Sequence, residues 1–160
     1  MTVHPIPPVY NKESKILILG SFPSVKSRES NFFYGHKQNR FWKLISLLLN
    51  ENEPKTNEEK KDLLLKNRIA LWDVVESCDI EGSADSSIKN VKPNDISFIL
   101  ENSKVERIYV NGRTAEKYYN KYIKPTLGKQ AYCLPSTSPA NAAWGMEGLL
   151  EAWRIIKENL

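Results

Sequence analysis

Lys15-Ile16-Leu17-Ile18-Leu19-Gly20-Ser21-Phe22-Pro23-Ser24 is an almost unbroken apolar run that stops at a glycine and passes directly into loop residues. A run without polar alternation fits a strand covered on both faces, as the inner strands of a parallel sheet are. Outward from it, Ile69–Val75 and Val105–Val110 repeat the pattern, and Ala131–Leu134 adds a fourth short strand. Between the first two lies helical spacing: Phe41, Trp42, Leu44, Ile45, Leu48 and Leu49 form one face of a helix over Arg40–Leu49, with Asn39 just before it as an N-cap candidate. Further helices are read over Glu58–Leu65, Asp95–Glu101, Thr114–Ile123 and Ala143–Asn159, the last with Trp144, Leu149, Leu150, Trp153 and Ile156 turned inward. Strands alternating with helices predict an α/β fold, a three-layer α/β/α sandwich around a mainly parallel four-stranded sheet. Pro5–Pro8 reads as an extended lead-in, and Ser21–Asn39 and Glu76–Pro93 as long loops.

A length of 160 residues with 41% hydrophobic content suits one domain over residues 1–160 with a core of its own. Lys and Arg (23) exceed Asp and Glu (19), and the resulting net charge of +4 permits a polyanionic partner without requiring one. Two cysteines, Cys78 and Cys133, and two histidines, His4 and His36, are too few for a disulfide framework, an iron-sulfur cluster or a hydrolytic zinc site. Neither a metal nor a cofactor is therefore expected. The chain has no apolar run long enough to span a bilayer and no export signal, so the expectation is a cytoplasmic monomer with no membrane partner. A glycine-rich Walker-type loop is missing as well, which argues against an NTPase.

Ligands of parallel sheets bind beyond the carboxyl ends of the strands, so chemistry is expected in the loops after Gly20, Trp72, Val110 and Leu134. Two of these loops carry a family resemblance. Gly20-Ser21-Phe22-Pro23-Ser24, followed by Phe32-Phe33-Tyr34-Gly35-His36-Lys37-Gln38-Asn39-Arg40-Phe41-Trp42, resembles the first motif region of the uracil-DNA glycosylase superfamily. Its Asn-Arg-Phe-Trp part is similar to the mismatch-specific uracil enzymes. Leu134-Pro135-Ser136-Thr137-Ser138-Pro139-Ala140-Asn141 resembles the second motif, which in that superfamily grips DNA beside a flipped nucleotide. With Ala70–Val74 and Gly82–Ile88 between them, the resemblance covers roughly Ile16 to Trp153.

The chain departs from the wider superfamily at three positions. Phe22 stands where an Asp or Asn usually orients the attacking water, small Ser24 where uracil enzymes narrow the pocket with a tyrosine, and Leu134 where they carry a catalytic histidine. These departures resemble the hypoxanthine (deoxyinosine) DNA glycosylase branch. Such membership implies a monofunctional hydrolase acting on double-stranded or single-stranded DNA that contains a deaminated base. The alternatives are a uracil-DNA glycosylase of unusual motif and a non-catalytic nucleic-acid-binding protein on the same fold.

Carried over by position, the resemblance makes Asn39 the catalytic amide, with two donors and one acceptor to hold water; the competing role is that of helix cap. Phe22, then Phe33 and Tyr34, are the candidates to stack on the base, with Ser21 and Ser24 beside them. Asp73 replaces the base-reading asparagine of the uracil enzymes; as an acceptor it would favour hypoxanthine, which has an N1 hydrogen, over adenine, which has none. Asn111, in an Asn-Gly turn signal, is a weaker candidate for the base. Ser27, Ser86, Ser136, Thr137, Ser138 and Asn141 are the expected DNA contacts, with Asn141 filling the gap the extruded nucleotide leaves. Lys26, Arg28, Lys37 and Arg113 add positive charge nearby.

Overall fold

A computed structural model describes residues 1–160. The chain opens with β1 (Thr2–Val3), β2 (Ile16–Gly20), α1 (Val25–Ser30), α2 (Phe41–Leu48) and α3 (Asn57–Lys66), then β3 (Ile69–Asp73), β4 (Val75–Asp79) and β5 (Lys89–Pro93). It continues through α4 (Ser97–Glu101), β6 (Arg107–Asn111), α5 (Arg113–Tyr118), α6 (Lys124–Leu127), β7 (Ala131–Leu134) and α7 (Met146–Glu158). β3, β2, β6 and β7 pair side by side in that order, all parallel. The alternation of each strand divides the core in two. Ile16 and Ile18 pack on one side with Phe41, Leu44 and Trp153 from α2 and α7, while Leu17 and Leu19 pack on the other with Ile99, Ala115 and Tyr119. The expected three-layer sandwich is the structure found.

The second sheet is a departure from expectation. The strand read over Ile69–Val75 breaks at Val74, and the chain leaves the parallel sheet to form an antiparallel sheet ordered β1-β4-β5. Only the middle of Glu76–Pro93, around the 3-10 turn Asp85–Ser87, is a loop. Two register shifts between β4 and β5, and charged or polar residues at most of β5, hid these strands from a reading by apolar periodicity. An amino-terminal arm ties the sheets together. Thr2 and Val3 pair with Cys78 and Ser77, and Val9 bridges Leu71 of β3, covering that sheet edge.

Three other boundaries move. α1 lies inside the predicted loop, capped by Ser24, whose hydroxyl accepts from the Ser27 amide at 3.1 Å. The helix read over Thr114–Ile123 is α5 passing through a π turn (Tyr119–Ile123) into α6, where Pro125 has no amide hydrogen to continue the ladder. Trp144, expected inward on the last helix, lies before α7 begins and is 38% exposed.

Candidate active site

The register of the parallel sheet lines up the floor of the site. Gly20 pairs with Asp73, Val110 with Leu19, and Asn111 with Leu134, so these residues end neighbouring strands on one rim. The connection after β2 runs over one face of the sheet and that after β6 over the other, which opens a crevice between them. A cavity of ≈ 510 Å³ lies there, within the range of small-molecule sites.

Gly20 is the close-approach point. A Cβ on it would stand 2.3 Å from Asp73 Oδ1 and 2.9 Å from the Tyr34 hydroxyl, so both oxygens can crowd over the strand end only because glycine is there. Tyr34 reaches this place with a left-handed backbone (φ 52°), its ring stacked on Phe41 at 4.2 Å. Burial first, and the Asp73 carboxylate second, push its hydroxyl far above the ordinary tyrosine range, so it keeps its proton. Asp73 Oδ2 accepts from His4 Nε2 at 2.7 Å, with both side chains buried (2% and 5% exposed). Asp73 Oδ1 has no hydrogen-bond partner in the protein and faces the cavity.

A single buried network joins three of the loops. The Phe41 amide and the Thr137 hydroxyl both donate to Asn39 Oδ1, at 3.0 and 2.8 Å. The Asn111 amide group donates to Thr137 Oγ1 and to the Tyr34 hydroxyl, each at 3.1 Å, and Asn111 Oδ1 accepts from the Thr137 amide. Two donors on one atom fix which end of the Asn39 amide is which. Oδ1 is committed, and only Nδ2 is left to act in the cavity. Asn39 sits one residue outside the expected cap position, since Arg40 precedes the first helical residue; its side chain nevertheless serves the Phe41 amide as a cap would.

The walls come from the remaining loops. Phe22 and Phe33 line the cavity, Phe22 with the Arg28 guanidinium 5.7 Å from its ring centroid. Arg28 also donates to the carbonyls of Pro23 and Gly82, at 3.3 and 2.7 Å, so much of its charge is spent inside the protein rather than held for DNA. Asp85, on the turn between β4 and β5, receives the Ser21 hydroxyl at 3.4 Å. Much of the residue meets solvent, yet its carboxyl faces the cavity, and desolvation there raises it above the ordinary carboxylate range. The opposite wall is the loop after β7, held by Arg40. Its guanidinium donates to the carbonyls of Thr137, Ser138, Asn141 and Trp144, and its amide donates to Thr137 as well.

All of the residues expected for catalysis or the base line the cavity: Ser21, Phe22, Ser24, Phe33, Tyr34, Asn39, Asp73 and Asn111. Ser86, Ser136 and Ser138 stand at its rim. Three assignments need correcting in physical terms. Thr137 is fully buried with its hydroxyl and amide used inside the protein, so it is a strut and not a phosphate donor. Ser27 is 1% exposed, its hydroxyl taken by the Gly35 amide and Ser24. Asn111 has spent both amide hydrogens on Thr137 and Tyr34, so it holds the network together and has no donor left for a base. Asn141 lines an adjoining cavity, its side chain bonded to the Ser136 carbonyl.

His4, Arg40 and Asp85 were missed as functional candidates. Nothing in the sequence near His4 signals its role, because its partner lies 69 residues away. Arg40 and Asp85 lie inside the motif segments Phe32–Trp42 and Gly82–Ile88, and that is the signal that could have found them.

The family model described as the uracil DNA glycosylase superfamily matches residues 7–157. A hypoxanthine DNA glycosylase of Methanosarcina acetivorans is 40% identical over 137 residues, covering 84% of this chain and 85% of the relative. One of Methanosarcina barkeri is 32% identical over the same shares. A solution NMR structure of a Methanosarcina acetivorans protein, described provisionally as a uracil DNA glycosylase, superposes with a TM-score of 0.78 at 34% identity, covering 95% of this chain and 96% of that one.

Proposed function

The chain belongs to the uracil DNA glycosylase superfamily, and from that premise we propose that it is a DNA repair glycosylase hydrolysing the N-glycosidic bond of deoxyinosine to release hypoxanthine. The observation that carries the choice of base is the pair of oxygens over Gly20, Asp73 Oδ1 as acceptor and the protonated Tyr34 hydroxyl as donor. Hypoxanthine offers N1–H beside the O6 acceptor, the complement of that pair. Adenine offers the reverse, a bare N1 beside an amino group, and so meets acceptor with acceptor and donor with donor. Leaving such groups unpaired is costly, and specificity built this way is steep. Uracil and thymine carry the same donor–acceptor edge as hypoxanthine, so the pair rejects adenine and cytosine, while small Ser24 and the cavity volume leave room for a purine. Guanine also carries N1–H, and its 2-amino group must be refused by fit. The names of the two relatives support hypoxanthine.

The nucleotide leaves the stack at a cost of a few kcal/mol, offset in part by stacking on Phe22 and Phe33. As the C1′–N9 bond breaks, positive charge grows on the sugar and negative charge on the base. Asn39 Nδ2 donates to one lone pair of the water whose other lone pair adds to C1′, Tyr34 donates toward the departing base, and the proton that the water sheds ends on the released base. The electron-poor sugar takes a weak nucleophile, so an amide suffices where a carboxylate is absent. The partner is double-stranded or single-stranded DNA carrying a deaminated base, with Ser86, Ser136, Ser138 and Asn141 facing its backbone. The whole chain, residues 1–160, acts as one cytoplasmic, monomeric domain. No helix is long and apolar enough to cross a membrane.

The test is base release from duplexes and single strands containing hypoxanthine, uracil, xanthine, mispaired thymine, adenine or guanine, with abasic sites cleaved afterwards. Hypoxanthine is expected to leave fastest; binding without strand cleavage would identify a non-catalytic binder instead. Asn39→Ala is expected to lower turnover by about 10²–10³-fold while keeping affinity for inosine-containing DNA, as loss of one preorganised donor does.

A further inference from the structure

His4 reaches the floor of the pocket from the amino-terminal arm, and the chemistry above gives it no part. Its amide donates to the Glu76 carbonyl at 2.7 Å, which fixes the backbone on β4. The Ile6 amide donates to His4 Nδ1 at 3.2 Å, so Nδ1 carries a lone pair and the ring hydrogen sits on Nε2. That hydrogen goes to Asp73 Oδ2 at 2.7 Å. The rings of Phe22, Phe33 and Trp72 surround the imidazole at 5.9 to 6.1 Å and keep water out. The titratable groups facing Asp73 are His4, Tyr34 and Asp85, and of these only His4 hydrogen-bonds to it. A fixed donor on one carboxylate oxygen stops the group from turning and leaves the other oxygen to accept from a ligand.

We propose that His4 is a positioning residue for base selection: its Nε2–H holds Asp73 Oδ2 so that Oδ1 alone is turned to the base as an acceptor, and rejection of normal adenine depends on it. This rests on the deaminated-base reading of the pocket given above.

The experiment uses the full chain as wild type, His4→Gln, whose amide nitrogen takes the place of Nε2, and His4→Phe, which keeps a ring but no donor. The readout is the ratio of kcat/KM for hypoxanthine over adenine in matched duplexes. The ratio is expected to fall by on the order of tenfold or more in His4→Phe and to recover in His4→Gln. A merely structural role would lower both rates together and leave the ratio alone, and that result in a folded His4→Phe would overturn the proposal. Independently of activity, ¹⁵N shifts of His4 and the ¹³C carboxyl shift of Asp73 are read in the DNA-free wild type. An unprotonated Nδ1 with an ionised Asp73 at neutral pH supports the proposal, and a protonated Asp73 refutes it even if His4→Phe does not fold. A wild type that releases no hypoxanthine but shows the expected shifts would refute the deaminated-base reading while leaving the hold of His4 on Asp73 intact.

Discussion

Gly20 and Thr137 show how little slack the site has at the level of single residues. Gly20→Ala would bring a methyl group to 2.3 Å from Asp73 Oδ1, so the carboxylate must swing away from its position beside Tyr34. The expected result is a stability loss of about 1–3 kcal/mol, as overpacking gives, together with a lower hypoxanthine-to-adenine ratio in single-turnover release. Thr137→Val keeps the shape but leaves one Asn111 hydrogen without an acceptor and Asn39 Oδ1 with one donor fewer. Its expected cost is again about 1–3 kcal/mol, read as a lower urea midpoint at unchanged slope. Much of this was legible in the sequence, because each floor residue follows an apolar run and the chain marks the spot with a glycine or a polar side chain. The partnerships were not. Asn111 and Thr137 offer the same polar groups whether they face a base or each other, and only the fold decides which.

At the scale of elements, the loop after β7 owes its form to α2. Arg40 gathers four carbonyls of that loop with one guanidinium fork, across about a hundred residues of sequence. Arg40→Met is expected to expose the stretch from 135 to 145 to limited proteolysis and to lower kcat/KM by about 10–100-fold through misplacement of the rim. Arg40→Lys is expected to fail as a rescue, since a single ammonium cannot span carbonyls arranged for a planar fork. β2 and β3 were readable because they are buried on both faces and therefore almost wholly apolar. β4 and β5 were not, because Glu76, Asp79, Lys89 and Lys92 interrupt any pattern and the pairing is irregular. α1 was too short, at six residues, to establish a period.

For the molecule as a whole, the raised carboxyl of Asp85 ties stability to pH. Burial favours its neutral form in the folded chain more than in the unfolded one. As pH rises from the ordinary carboxylate range through the folded-state value, the unfolded chain has already released its proton and the folded chain has not, so stability falls until both are ionised. Asp85→Asn removes this loss. Thermal melts are expected to show a small rise in Tm at neutral pH that shrinks as the pH drops into the ordinary carboxylate range.

The amino-terminal arm spans both sheets, held by a two-residue strand, one isolated bridge, the His4–Asp73 contact and the buried side chains of Ile6 and Val9. The groups assigned to bond cleavage, Tyr34 and Asn39, lie elsewhere, in the stretch between β2 and α2. Loss of residues 2–9 to a protease would take Ile6 and Val9 out of the core together with His4, so the remainder is expected to be less stable and, where it stays folded, less able to tell sound adenine from its damaged form. A cell holding such a fragment would gather abasic lesions in healthy DNA, a genotoxic hazard made by trimming a repair protein.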